Sequence, residues 1–245
     1  MRRRHPSPGS EPVELFLPFT GAWKVQNSPA NRVPSHGTDL FGTRYAIDFT
    51  AVDTRGRTAS SRSLRSVLAT EPAELFLAYG QEVTAPCPGT VRATHDGEVD
   101  HAARRSQLNL IGYMLGQPAR IRQGPDAVAG NHVILEEPQS GRFIAMVHLL
   151  NGSILVRPGQ QVAAGQVLAR CGNSGNSTQP HLHLQAMDSL DLRRARGVPI
   201  VFRDFHEQIR SGETAVIRRG VPANASVVQP ARGPDPDPGR SGRYR

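Results

Sequence analysis

Long apolar runs are missing from this chain. The longest, residues 143–150, is interrupted by His148, so no helix is expected to cross a membrane. The start, Met1-Arg2-Arg3-Arg4-His5-Pro6, is basic but has no apolar stretch behind it, so no standard secretory signal is expected. Cysteine is scarce. Cys87 and Cys171 are not spaced as a metal-binding pair, and without an export signal two buried thiols are expected rather than a disulfide. Aromatic residues make up only 5% of the chain. With so few, and with arginines scattered or gathered in the tails, the usual supports of a nucleic-acid-binding protein are lacking. There is no internal tandem repeat.

What the chain does have is turn formers and positive charge. Gly 24 and Pro 20 in 245 residues, with 38% apolar content, point to a globular core made of many short strands and turns. The net charge of +8 suits an anionic partner, whether nucleic acid, anionic lipid or a wall polymer, without choosing among them. Residues 1–10 and the Pro/Gly/Arg-rich residues 223–245 are expected to be disordered ends, leaving 11–222 as the folded domain.

Within that domain, strands are expected over 13–19, 23–25, 44–49, 131–136, 142–149 and 198–202. Residues 82–86 and 89–93 alternate around a Pro-Gly turn, and 131–149 read as a hairpin. Short strands with two glycine turns fill 156–171. Residues 27–42 read as a loop carrying His36. Residues 51–74 and 95–130 read as insertions, the second with a short helix over 102–115.

The chemistry concentrates in Asn173-Ser-Gly-Asn-Ser-Thr-Gln-Pro-His181-Leu-His183-Leu184. A glycine- and serine-rich loop feeds an extended apolar segment in which two histidines, one residue apart, share a strand face. Such a pair suits a zinc site in which one imidazole is a ligand and the other works on a substrate. By itself the pair is more often a half-buried strand whose alternating residues happen to be histidine.

Several ordered blocks resemble the M23 metallopeptidases, the lysostaphin-like zinc endopeptidases that cut peptidoglycan. Val83-Thr-Ala-Pro-Cys-Pro-Gly-Thr-Val91 looks like the family's v-x-A-P-x-x-G-x-V hairpin, and Asn131-His-Val-Ile-Leu135 like the central strand that follows. Ala145-Met-Val-His-Leu149 resembles its Y-x-H-L block. Val156-Arg-Pro-Gly-Gln-Gln-Val-Ala-Ala-Gly-Gln166 resembles its paired glycine turns. Residues 172–183 resemble its G-x-(T/S)-G-x-S-x-x-x-H-L-H signature.

The resemblance implies an all-β fold: an antiparallel β-sandwich of the duplicated-hybrid-motif type, with an open active-site groove. It implies one Zn2+ per chain held by His36, Asp48 and His183, with His148 and His181 as further active-site histidines. One spacing departs from the family. Many members place the first histidine four residues before the aspartate, whereas His36 precedes Asp48 by twelve. Asp39 is therefore a rival ligand. Asp48 is preferred because Tyr45-Ala-Ile-Asp48-Phe matches the strand part of the family block.

The implied function is a zinc metalloendopeptidase acting on peptidoglycan cross-links or stem peptides. The alternatives are a non-catalytic M23-like domain that binds wall or activates a hydrolase, a basic nucleic-acid-binding protein, and a histidine phosphocarrier of similar fold. With no signal peptide recognised, the chain is expected to be cytoplasmic by sequence, or extracellular by unconventional export if the substrate is peptidoglycan. His5, His95, His101, His132 and His206 are expected to be solvated or packed rather than ligating. Asn131 is a candidate to orient a ligand from behind.

Overall fold

The computed structural model describes residues 11–60, 70–103, 124–209 and 212–231. Its strands are β1 Val13–Leu15, β2 Trp23–Gln26, β3 Ile47–Ala51, β4 Glu82–Thr84, β5 Gly89–His95, β6 Asn131–Glu136 and β7 Phe143–Leu149. They continue as β8 Gln161–Val162, β9 Val167–Arg170, β10 Leu182–Met187, β11 Gly197–Val198, β12 Ile200–Gln208, β13 Thr214–Gly220 and β14 Val227–Pro230. The helical segments described are one α-turn, α1 Pro125–Ala129, and 3-10 turns at Leu40–Tyr45 and Ala73–Leu75. The described residues form an almost all-β fold, as the resemblance implied.

One large sheet carries the order β1-β12-β14-β2-β3-β10-β7-β6-β5-β8, with β11 beside β10 and β13 beside β12. A second sheet pairs β4 with β9. The pairings are antiparallel except β1 with β12, which is parallel and makes the large sheet mixed. The core follows the period-2 rule of strands. Leu182, Leu184 and Ala186 of β10, Ile144 and Met146 of β7, and Ile47 and Phe49 of β3 all point into one cluster. Val83 of β4 and Leu168 of β9 belong to the same cluster, so the small sheet closes over that face. At its centre Phe49 meets Phe19 edge-on at 5.0 Å and Phe202 at 5.6 Å. Such aromatic pairs each add about 0.5–1.5 kcal/mol beyond their buried area.

The residues between these core positions face the other way. Ile134, Ala145, Val147 and Met187 form a smaller apolar cluster with Ala195 on that second face. Asp48, His183 and Gln185 occupy the same parity positions, so the site is built on this face.

The hairpin expected over 131–149 is present as β6 and β7. Its turn is tied by the Glu137 carboxylate, which accepts from the backbone N–H of Gln139 and Ser140 and from the Ser140 hydroxyl. Other expectations are corrected. Residues 82–93 do not form a hairpin: β4 pairs with β9, and β5 with β6 and β8. Pro86 and Pro88 lack the N–H groups a ladder needs, and the chain crosses between sheets there. The first strand ends at Leu15, because Phe16 donates to Pro86 instead of to a neighbouring strand. The strand expected from Arg44 begins at Ile47, since Arg44 and Tyr45 belong to the 3-10 turn.

Part of the tail expected from residue 223 is folded. Val227–Pro230 is strand β14, paired with both β12 and β2, and Val228 is buried in the core. Strand β13 escaped the sequence pattern because it is largely exposed and so shows no apolar alternation. Residues 1–10 and 232–245, and residues 104–115 of the expected helix, lie outside the described residues. No described helix is long and apolar enough to cross a membrane.

Candidate metal centre

Four separate pieces of chain bring the site together. On β3 the alternation that sends Ile47, Phe49 and Ala51 inward leaves Asp48 on the second face. On β10 the same alternation presents His183, and the two residues stand directly opposite each other in the β3–β10 register. His36 arrives from the loop before β3. Its neighbour Ser35 donates its backbone N–H to Arg44 at 3.0 Å, which folds the loop back toward the strand.

His148 reaches the site by a different device. Alternation along β7 would turn it into the core beside Met146. Instead the β6–β7 register jumps from His132↔Val147 to Asn131↔Leu149, so His148 is the extra residue of a β-bulge. Its φ of 63° is a left-handed value unusual for a side-chain-bearing residue. Bulges re-aim side chains beside functional sites, and this one places His148 4.8 Å, ring to ring, from His181.

The loop before β10 is equally constrained. Asn173, Ser174 and Ser177 are fully buried. Gly175 has φ 67°, and any side chain there would run into the backbone of Gly130. Ser174 offers its carbonyl to His148 Nδ1 at 2.9 Å. Gln179 does the same for His181 Nδ1 at 2.8 Å, with Ser177 Oγ 3.0 Å away. Carbonyls only accept, so both imidazoles donate from Nδ1, and in the neutral His148 this leaves a bare Nε2.

The Asp48 carboxylate is the hub. Oδ1 lies 2.9 Å from His183 Nδ1 and 3.8 Å from His181 Nε2. Oδ2 lies 3.1 Å from His36 Nε2 and accepts from Asn27 Nδ2 at 2.7 Å. Asp48 is 4% exposed. Burial alone would raise its carboxyl, but His36, His181 and His183 outweigh that and hold it well below the usual carboxylate range. Burial, reinforced by His181 and His183, pushes His148 well below an ordinary histidine, so it stays neutral.

His36, Asp48 and His183 offer ligand atoms that all lie within 4.8 Å of one another. Among the described residues this is the one group of histidine, cysteine, aspartate or glutamate so arranged. Two imidazole nitrogens and one carboxylate are a donor set that zinc favours, with a coordination position to spare. The residues therefore fit that metal.

The rival Asp39 is elsewhere: it forms a two-pronged pair with Arg44 at 2.9 Å on the surface. Asn131 touches none of the site histidines. It bonds the Leu149 carbonyl and the Glu98 backbone, and its N–H reaches Ser174 Oγ, so it supports the loop that holds His148. His132 is buried and stacks on His95 at 5.5 Å. His101, expected to be solvated, instead bonds the Gly175 carbonyl at 2.9 Å. Cys87 and Cys171 are free and buried, as expected. Burial pushes the Cys87 thiol up to about 12, and raises Cys171 as well, so neither supplies a thiolate.

Sequence reasoning passed over Asn27, Ser35 and Gln185. Asn27 follows the residue opposite Asp48 in the β2–β3 register. Ser35 Oγ sits 3.0 Å from His36 Nδ1. Gln185 Oε1 sits 2.9 Å from His183 Nε2. Only the strand spacing of Gln185, two residues beyond His183, was available as a signal in the sequence.

Part of the chain is similar to known proteins. Residues 73–194 match the model of peptidase family M23. Among solved structures, the catalytic domain of the antimicrobial peptidase lysostaphin from Staphylococcus simulans is 18% identical, with TM-score 0.36, over 66% of this chain and 86% of that one. The prophage-encoded M23 protein EnpA from Enterococcus faecalis is 17% identical, with TM-score 0.36, over 66% and 85%. A zinc-containing peptidase from Vibrio cholerae is 19% identical, with TM-score 0.31, over 62% and 48%. The family match contains His148, His181 and His183. His36 and Asp48 lie before it, and folding brings them to His183. On its matched segment and the ordered motifs within it, the chain belongs to peptidase family M23.

Proposed function

We propose that the protein is a zinc metalloendopeptidase that hydrolyses peptide bonds in peptidoglycan cross-links or stem peptides. The observation that carries this reading is the convergence of His36, Asp48 and His183 on one point, with His148 and His181 beside it. His36, Asp48 and His183 would hold the metal. Zinc bound there would polarise a scissile carbonyl and make water a competent nucleophile at neutral pH.

The remaining work falls to this chain's own groups. His148 is neutral, and its bare Nε2 can accept a proton from the attacking water. The proton taken up by His148 then passes to the leaving amine, while His181, fixed by Gln179, presents a second imidazole beside the reacting carbonyl. Asp48 remains an anion throughout, balancing the positive charge that gathers on the surrounding imidazoles. Peptidoglycan, an anionic wall polymer, also suits the net charge of +8.

The test is a digest of purified cross-linked peptidoglycan with mass analysis of the products, with and without a chelator. New free amino groups at peptide cross-links, appearing only without chelator, are expected. Intact peptidoglycan in both arms would overturn the reading.

A further inference from the structure

The two imidazoles that face Asp48 are each held from behind in the same way. His183 Nε2 is 2.9 Å from Gln185 Oε1, while Gln185 Nε2 donates to the Phe41 carbonyl at 2.8 Å. His36 Nδ1 is 3.0 Å from Ser35 Oγ, while that hydroxyl donates to the Thr43 carbonyl at 3.3 Å. Both carbonyls belong to the short turn Leu40–Tyr45.

The logic of donors and acceptors then settles the protons. A backbone carbonyl can only accept, so the Gln185 amide must point its nitrogen at Phe41 and its oxygen at His183. An amide oxygen can only accept, so His183 must donate from Nε2. Its lone pair is left on Nδ1, the atom 2.9 Å from Asp48. A parallel arrangement runs through Ser35. With its hydroxyl proton on the Thr43 carbonyl, its oxygen takes the proton on His36 Nδ1, which in the neutral imidazole leaves Nε2 bare toward Asp48. In the neutral imidazoles, two bare nitrogens and a carboxylate then aim at one point, the arrangement a cation would occupy.

The turn that supplies both carbonyls is itself shaped for the purpose. Phe41 and Gly42 adopt left-handed φ values of 56° and 79° within it, and for Phe41 that conformation is strained. Gly42 also packs so closely that a Cβ there would lie 2.8 Å from Met187 Cγ and 3.4 Å from Gln185 Nε2. Gln185 itself is 5% exposed, so water does not substitute for its contacts.

We infer that Ser35 and Gln185 are positioning residues which, anchored on Thr43 and Phe41 of one shared turn, fix the tautomers of His36 and His183 for metal binding. The inference rests on the metal centre proposed above. It assigns the turn at 40–45 a role that neither histidine could fill alone. Removing either support leaves an imidazole free to rotate or to place its proton on the wrong nitrogen. Outer partners of metal-bound histidines typically account for about 10–100-fold in affinity.

The experiment is zinc affinity by competition with a chromophoric chelator, combined with NMR of the imidazole N–H protons in the zinc-loaded protein. Gln185→Leu should weaken zinc about 10–100-fold, and the His183 Nε2–H signal should lose its protection from exchange. Ser35→Ala should do the same to His36 Nδ1–H while sparing that of His183. Gln185→Glu separates positioning from packing: it keeps an acceptor for His183 but loses the donor to Phe41. It should hold zinc within about tenfold of the parent and keep a protected Nε2–H. Parental affinity in Gln185→Leu, or a Gln185→Glu protein as weak as Gln185→Leu, would overturn the inference while leaving the metal centre standing. A parent protein that binds no zinc would overturn both.

Discussion

His183 and Asp48 face each other across adjacent antiparallel strands, Nδ1 to Oδ1 at 2.9 Å, though 135 residues separate them in sequence. The pairing of β3 with β10 is thus also the assembly of the proposed metal centre, and anything that slips that register separates the proposed ligands. A one-residue slip would turn Asp48 into the core and expose Phe49.

The first expectation concerns metal content. The purified protein should carry about one zinc per chain, and His183→Ala and His36→Ala should each lose it, because two remaining ligands leave an open coordination shell. Elemental analysis after dialysis decides this. Full zinc occupancy in His183→Ala would remove that residue from the ligand set.

The two aspartates should separate cleanly. Asp48→Ala should abolish zinc binding and hydrolysis together. Asp39→Ala breaks only an exposed pair with Arg44, an interaction worth about 0–1 kcal/mol, and should leave both intact. Metal content and hydrolysis rate of the two variants check this, and the reverse pattern would place the ligand in the loop.

Binding and chemistry should come apart at the other two histidines. His148→Ala and His181→Ala keep all three proposed ligands, so each should stay zinc-loaded while turnover falls about 10²–10⁴-fold. If both act in one proton-transfer event, the double variant should lose far less than the product of the single losses. A metal-free His181→Ala protein, or one as fast as the parent, would contradict its role.

The stability of the metal-free protein should depend on pH in two windows. Burial holds His148 and His132 neutral, below their ordinary value of 6.5. The unfolded chain takes up those protons first, so acid favours unfolding. Stability should be full above 6.5 and decline as pH falls from there toward the depressed folded values. Asp48 adds a second decline beginning below its ordinary value of 3.8. Urea midpoints measured from about pH 8 downward would show it, and a midpoint independent of pH across the histidine window would contradict the burial argument.

The part of the site readable in the sequence was the part obeying strand alternation. His181-Leu-His183 shares a face by period 2, and Asp48 lies between the core positions Ile47 and Phe49. His148 does not obey it: alternation points it into the core, and only the bulge opposite β6 turns it out. Its place came from resemblance to a motif, not from periodicity. Asn27 was invisible because it meets Asp48 only once strands pair, and although Ser35 and Gln185 lie beside their histidines in sequence, the Thr43 and Phe41 carbonyls that anchor them come near only on folding. The mixed sheet was hidden for a related reason, since the parallel β1–β12 pairing joins segments 187 residues apart, Val13 with Ile200. Strand β14 was masked by its proline-rich surroundings, although Val228 is fully buried.

The central claim is that His36, Asp48 and His183 together hold one zinc. Its most direct test is a crystal of the zinc-loaded protein measured on both sides of the zinc absorption edge. The expected result is one anomalous peak per chain, bounded by His36 Nε2, the Asp48 carboxylate and His183 Nδ1, with His148 and His181 beside it but not bonded to it. A peak at Asp39, or no peak among the three residues, would contradict the account.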